Sequence, residues 1–195
     1  MTHRPVLVVW LVAGMIMAVA VGMTVAKFSA TTSNPGDSLA TGTVSITDND
    51  AGAAMLSLAS AKPGNSTTGC IKVTYTGSLD STVVLYGTVS GSLAPYLQLT
   101  VTRGTDSAPS FSSCTNFTPD ATNYIGAGAG VVYSGLLSAY PANYAAGIVD
   151  PTSGSPHTWI QNEAHSYKFV VSLNNNPAAQ GLSSTATFTW EARNT

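Results

Sequence analysis

The chain has 195 residues, of which 8% are charged and 44% are hydrophobic, and its formal net charge is −2. Soluble domains carry roughly 25% charged residues and nucleic-acid binders present a basic face, so this composition excludes nucleic acid as a partner. Ser, Thr, Asn and Gly are left to make the surface.

The first residues are Met1-Thr2-His3-Arg4, and no charged residue occurs from Pro5 to Ala26. Thr24-Val25-Ala26 then supplies small residues at the two positions a signal peptidase reads. A basic start, an apolar run and a small-residue end form the layout of an export signal. Cleavage is therefore expected between Ala26 and Lys27. The run is also close to the ~20 residues that a helix needs to cross a bilayer. An uncleaved signal/transmembrane helix is the alternative, and the only expected contact with a membrane. Residues 1–26 are thus assigned to the signal and residues 27–195 to a single domain, long enough for a core of its own. Without the signal, six basic residues face nine acidic ones, a net −3.

Strand signals follow in series. Residues 43–47 alternate, with Val44 and Ile46 on one face, and residues 54–58 form a short apolar run. Lys62-Pro63-Gly64-Asn65 reads as a turn. Ile71, Val73 and Tyr75 alternate with Lys72, Thr74 and Thr76, the pattern of a half-buried strand. Residues 82–89 are more continuously apolar, as expected in the middle of a sheet. Leu97, Leu99 and Val101 alternate with Gln98, Thr100 and Thr102. Residues 104–124 read as a long connection containing Cys114, and Gly126, Gly128 and Gly130 as a loop. A short helix or turn is expected within residues 136–144. Tyr167, Phe169, Val171 and Leu173 mark one last alternating strand, and Ala186, Phe188 and Trp190 another; a hairpin with a long loop is expected to join them. About seven short strands separated by turn residues predict an all-β antiparallel β-sandwich or jelly roll.

Motifs that carry chemistry are few. In an exported chain an even cysteine count reads as a disulfide, here Cys70–Cys114, against two buried thiols. His157, Glu163 and His165 lack the spacing of a His-Glu-x-x-His zinc helix and read as solvated loop residues. No metal and no cofactor is expected. No Gly-x-Ser-x-Gly elbow marks a nucleophile. No spacing favours a catalytic pair among Asp48, Asp50, Asp120, Asp150 and Glu163. Asp48-Asn49-Asp50 reads as a turn, since the later ligands of a calcium loop are missing. Tyr140, Tyr144 and Trp159 would form a sugar-binding face if exposed, or close the end of a sandwich core if not.

One longer pattern is specific. Lys27-Phe28-Ser29 follows the apolar run, then come about ten polar residues and Leu39-Ala40-Thr41-Gly42-Thr43-Val44-Ser45-Ile46. Lys62-Pro63-Gly64 and Gly77-Ser78-Leu79 bracket the next strand. Near the end stand Trp159, Glu163, His165 and Tyr167, then Ala178-Ala179-Gln180-Gly181 and Phe188-Thr189-Trp190. This pattern resembles the TasA/camelysin family of secreted biofilm-matrix fibre proteins. It covers both ends of the mature chain and leaves residues 103–149 unmatched. The chain departs from the family in having Ser45 in place of an Asp and in its two cysteines.

The resemblance implies a jelly-roll sandwich, secretion through a dedicated signal peptidase, and a place in the extracellular matrix or at the cell surface. It implies a structural subunit, not an enzyme, whose partners are copies of itself. In such fibres the N-terminal segment of one subunit completes a sheet of the next, which here means residues 27–39, with Lys27, Phe28, Ser29 and Leu39 at the subunit interface. Strand addition of this kind satisfies a row of edge N–H and C=O groups. The simpler alternative is that the segment packs on its own sheet or stays disordered. Some relatives are described as metallopeptidases. An exported metallopeptidase-like enzyme, or a cell-surface carbohydrate- or protein-binding module, are the rival functions.

Overall fold

A pleated strand sends successive side chains to opposite faces, so alternating sequences build sheets with one apolar side. A computed structural model describes residues 29–31, 43–58, 61–152 and 155–195 of the chain. The strands in it are β1 (Ser29–Thr31), β2 (Ile46–Asp48), β3 (Ser66–Tyr75), β4 (Ser81–Ser90), β5 (Leu97–Asp106), β6 (Phe117–Pro119), β7 (Val131–Leu136), β8 (Ile148–Val149), β9 (Pro151–Thr152), β10 (Ser155–Pro156), β11 (Thr158–Trp159), β12 (Ala164–Leu173) and β13 (Thr185–Asn194). All their pairings are antiparallel.

Two sheets carry the fold. The first runs β1-β13-β4, with β11 and β8 both on the far side of β4; the second runs β2-β3-β12-β5, with β6 and β7 both on the far side of β5. β9 and β10 pair only with each other. A single apolar core draws on both sheets: Val83, Leu85, Trp190 and Ala192 from the first, and Val73, Leu99, Val101, Tyr167, Phe169 and Val171 from the second. Burying each large apolar side chain contributes roughly 1.5–3 kcal/mol. The rings of Phe169 and Phe188 lie 4.5 Å apart, and those of Tyr167 and Trp190 5.3 Å apart, stitching β12 to β13 across the layers.

The alternating runs behave as expected in β3, β5 and β12, and the continuous run 82–89 lies in β4, flanked on both sides in its sheet. Three expectations are corrected. β12 and β13 do not form a hairpin: β12 pairs with β3 and β5, whereas β13 pairs with β4 and β1. The connection after Leu173 therefore crosses from one sheet to the other. Residues 54–58 are not a strand; Met55, Leu56 and Leu58 pack against the core without joining a ladder. The connection assigned to residues 104–124 starts later, because β5 runs to Asp106, and β6 lies within it. The short helix or turn expected in residues 136–144 is present as the 3-10 turn Leu137–Ala139, and a second 3-10 turn, Tyr144–Ala146, follows it.

The disulfide forms: Cys70 and Cys114, 44 residues apart, are bridged with their Cα atoms 5.2 Å apart. The export signal of residues 1–26 lies outside the described residues. Among the described residues no helix is long and apolar enough to cross a membrane.

Candidate functional site

Two features stand out from this frame, an uncovered strand edge and a buried polar cluster. β13 pairs with β4 along its whole length, from Thr185 opposite Ser90 to Asn194 opposite Ser81. On its other side, among the described residues, it meets β1 at Glu191, Ala192 and Arg193, opposite Thr31, Ala30 and Ser29. Residues 185–190 have no strand partner on that side among the described residues. The direction of their backbone groups follows from the neighbouring strand. Gly87 N–H donates to Pro141 O at 2.8 Å, and Asp150 N–H donates to Val83 O at 2.9 Å, so both β4 residues turn their backbone away from β13. In an antiparallel ladder the residue opposite turns away too. Ala192, opposite Val83, thus faces β1; Phe188, opposite Gly87, faces the uncovered side, and so by alternation do Ala186 and Trp190.

That edge borders a groove of roughly 380 Å³, whose other wall includes Asp48, Asp50, Met55 and Ile71. The wall is shaped by the Asp48–Asp50 turn expected from sequence: Asp50 N–H donates to Asp48 Oδ1 (3.2 Å) and Gly52 N–H to Asp50 Oδ1 (2.7 Å). Trp190 is 2% exposed and lines the groove, yet its Nε1–H has no hydrogen-bond partner among the described residues. Buried indole N–H groups ordinarily find one.

The polar cluster closes the opposite side of the sandwich. Arg103 stands on the inward face of β5, opposite Tyr167 of β12, and is 5% exposed. Its Nε donates to Asp150 Oδ1 (2.7 Å), its Nη1 to Asp120 and to Tyr124 Oη (3.3 Å), and its Nη2 lies 2.8 Å from His165 Nε2. Asp150, with no exposure, also accepts from Tyr167 Oη (2.9 Å) and Trp159 Nε1 (2.7 Å). Burial alone lowers the Arg103 pKa, but the charge of Asp150 and the hydrogen bonds of both carboxylates hold it above its ordinary value. Burial, reinforced by Asp150, pushes Tyr167 well above its ordinary value. A buried ion pair stands only when its remaining hydrogen-bonding capacity is met, and Trp159 and Tyr167 meet it here.

Glu163 extends the cluster outward. His157 Nε2 and His165 Nε2 lie 2.6 Å and 2.8 Å from Glu163 Oε1, and Ile160 N–H donates to Oε2 at 3.1 Å. Burial raises the Glu163 pKa, but the His165 hydrogen bond, the Ile160 N–H and His157 outweigh it and lower the group below its ordinary value. His165 Nε2 touches both an acceptor, Glu163, and a donor, Arg103. One ring nitrogen either donates to the first or accepts from the second. Among the described residues no group of three His, Cys, Asp or Glu is arranged to hold a metal ion. The guanidinium beside His165 disfavours a further cation there.

A depressed carboxylate stabilises the fold above its unfolded pKa and loses that contribution as pH falls through the folded pKa. The Glu163 contribution is therefore complete at neutral pH and fades in acid below the ordinary glutamate value of 4.5. Glu163→Gln is expected to lower stability at pH 7 and to flatten the fall between pH 5 and pH 3, as read from urea midpoints at each pH.

The structure redistributes the residues singled out in the sequence. Ser29 lies in β1, paired with Arg193 of its own chain. Ala26, Lys27, Phe28 and Leu39 lie outside the described residues. Trp159 and Tyr140 are buried, so they form no exposed sugar-binding face with Tyr144; Trp159 instead anchors Asp150. His157, Glu163 and His165 are not solvated loop residues but members of one hydrogen-bonded cluster with Arg103. Arg103 was missed, although it continues the inward series Leu97, Leu99, Val101. No model of a known protein family matches this chain, and no curated protein matches it.

Proposed function

We propose that this chain is a secreted structural protein, a subunit of extracellular fibres or biofilm matrix. Its subunits join when residues 27–39 of one copy add a strand to the uncovered edge of β13 in the next. The observation that carries this reading is that, among the described residues, β1 pairs with three residues of a ten-residue strand and the backbone of Ala186, Phe188 and Trp190 faces a groove. Strand addition gives those groups partners. The β1 register fits a longer donor strand: continued, it sets residues 32, 34 and 36 opposite residues 190, 188 and 186. Pro35 then falls on the alternate position, where its missing N–H faces away from β13, the only place a proline fits in such a strand.

The cis pairing of β1 is the starting point of the exchange, since a short terminal strand that pairs with its own domain can pair equally with a neighbour's. Repeated head to tail, the contact does not close and yields a filament. The low charge of the chain, 8%, reduces the repulsion between stacked copies. In this reading the sandwich is a jelly roll, and a signal peptidase, by cutting after Ala26, frees the donor segment outside the cell. The chain has no catalytic role in it.

Two variants separate donor from acceptor. Deleting residues 27–39 removes the donor. Ala186→Pro removes an outward N–H from an exposed edge position and breaks no bond to β4, so it blocks the acceptor while sparing the fold. Each variant is expected to remain monomeric by light scattering at concentrations where the mature wild type assembles. Assembly of the deletion variant at wild-type rate contradicts the proposal.

A further inference from the structure

The second sheet has an edge of the same kind, and among the described residues it is covered from Cys70 to Thr74. Along β3 the backbone groups facing away from β12 fall on alternate residues. Cys70 N–H donates to Ser112 O (3.4 Å) and Ser112 N–H returns to Cys70 O (3.0 Å). Lys72 N–H donates to Asn49 Oδ1 (2.9 Å), and Thr74 is paired with Thr47 of β2. Met55 passes so close to Gly69 that a Cβ there would sit 2.8 Å from its backbone O.

Ser112 is the surprising member of this cover. It belongs to the β5–β6 connection, which leaves the sheet on the far side of β12. To reach β3 the connection crosses the outer face of the sheet, where Lys168 Nζ lies 5.3 Å from the Phe117 ring centre. Its hydrogen bonds from residue 108 to residue 117 are otherwise local: Ala108 N–H to Asp106, Ser113 N–H to Ser110, Thr115 N–H to Ser113, Phe117 N–H to Cys114. Ser112 itself holds φ of 62°, a left-handed conformation that a serine adopts only under constraint. Phe111 packs against the core, and the covalent tie is the Cys70–Cys114 bridge, two residues beyond Ser112.

We propose that the Cys70–Cys114 bridge is a latch that keeps a second strand-pairing edge shut, and that the partner of this edge, once opened, is the β3 edge of a second copy of the chain. Antiparallel pairing about Thr68 sets residues 66, 68 and 70 of one copy opposite 70, 68 and 66 of the other, a self-complementary two-fold contact. Closed, the latch confines strand addition to β13 and keeps growth unbranched. Opening is a thiol–disulfide exchange: a dithiol reductant gives up two electrons and two protons, the S–S bond breaks, two cysteine thiols form, and the reductant becomes a disulfide. The latch is independent of assembly through β13, and its test is run in the Ala186→Pro background to keep the two apart.

The experiment compares oxidised protein with dithiothreitol-reduced protein and with two variants, Cys70→Ser/Cys114→Ser and Ser112→Pro. The second leaves the bridge intact but removes the N–H given to Cys70 and cannot adopt the positive φ. Amide hydrogen exchange is read over residues 66–72 in dilute solution, with residues 166–172 as the internal control, and mass by sedimentation. Opening is expected to speed exchange of the residue 70 amide, whose N–H is given to Ser112, at least tenfold while the control stays slow, and to produce dimers where the oxidised protein is a monomer. If loss of the bridge also speeds the control, Ser112→Pro alone decides. Unchanged exchange of the residue 70 amide, or fast exchange with a mass that stays monomeric, overturns the proposal.

Discussion

Arg103→Met is expected to destabilise the domain by about 3–5 kcal/mol, the cost of leaving a buried carboxylate without its countercharge. Asp150 has no exposure, and its remaining partners, Trp159 Nε1 and Tyr167 Oη, are neutral donors. Asp120 loses its contact with the guanidinium at the same time, but it is partly exposed and can turn to water. The double variant Arg103→Met/Asp150→Asn is expected to recover a large part of the loss. The amide oxygen can accept from Trp159, the amide N–H can donate to Tyr167, and no charge is left buried. Urea unfolding of the two variants and the wild type gives the comparison. A single variant within 1 kcal/mol of wild type, or a double variant worse than the single, shows that the ion pair does not hold this side of the sandwich. Arg103, Asp120, Asp150 and His165 come from four different segments, so one cluster ties two strands and two connections together.

Removing the bridge is the second large effect. Cross-linking two residues 44 apart restricts the unfolded chain, and the chain-entropy relation gives about 4 kcal/mol for a loop of that length. Cys70→Ser/Cys114→Ser is expected to lose close to this amount, with the urea m-value rising because the unfolded chain becomes more expanded. Cys70 is buried beneath the crossing connection, so its serine replacement adds a small desolvation cost. A loss under 1 kcal/mol indicates that the 107–116 connection keeps its place through Phe111, the backbone pair with residue 70 and local turns.

The sequence was legible where burial follows local periodicity. Tyr167, Phe169, Val171 and Leu173 point inward because the pleat makes them, and nothing distant needs to be known to say so. The continuous run Val83-Val84-Leu85 was legible for a related reason: β4 is flanked by strands on both sides and covered on both faces. What failed was partnership. No local signal tells β12 from β13 as members of different sheets, because each satisfies the same alternation. The long strand pairs β3–β12, β12–β5 and β13–β4 all join segments that do not follow one another in the chain. Such non-local pairing is also the reason to expect slow folding.

The polar cluster was half legible. Arg103 sits at the inward parity of β5, an anomaly in a chain with so few charges, and that anomaly signals a buried partner. It cannot name Asp150, which lies 47 residues away. The sequence leaves Trp159 open between an exposed face and the sandwich core, and its burial bears out the core alternative; what the sequence does not show is that its indole N–H serves a buried carboxylate. The uncovered stretch of the β13 edge was invisible, since it depends on which described residues pair with β13 on the side away from β4.

The most direct test of strand exchange is a mixing experiment between the two blocked variants of the mature protein, followed by electron microscopy and sedimentation. The variant lacking residues 27–39 can accept a strand but not donate one, and Ala186→Pro can donate but not accept. Each alone is expected to stay monomeric, and an equimolar mixture is expected to form heterodimers and no filaments, while wild type forms filaments under the same conditions. Wild type that stays monomeric at high concentration with its N-terminal segment intact, or a mixture that sediments as two monomers, would contradict assembly through the edge of β13.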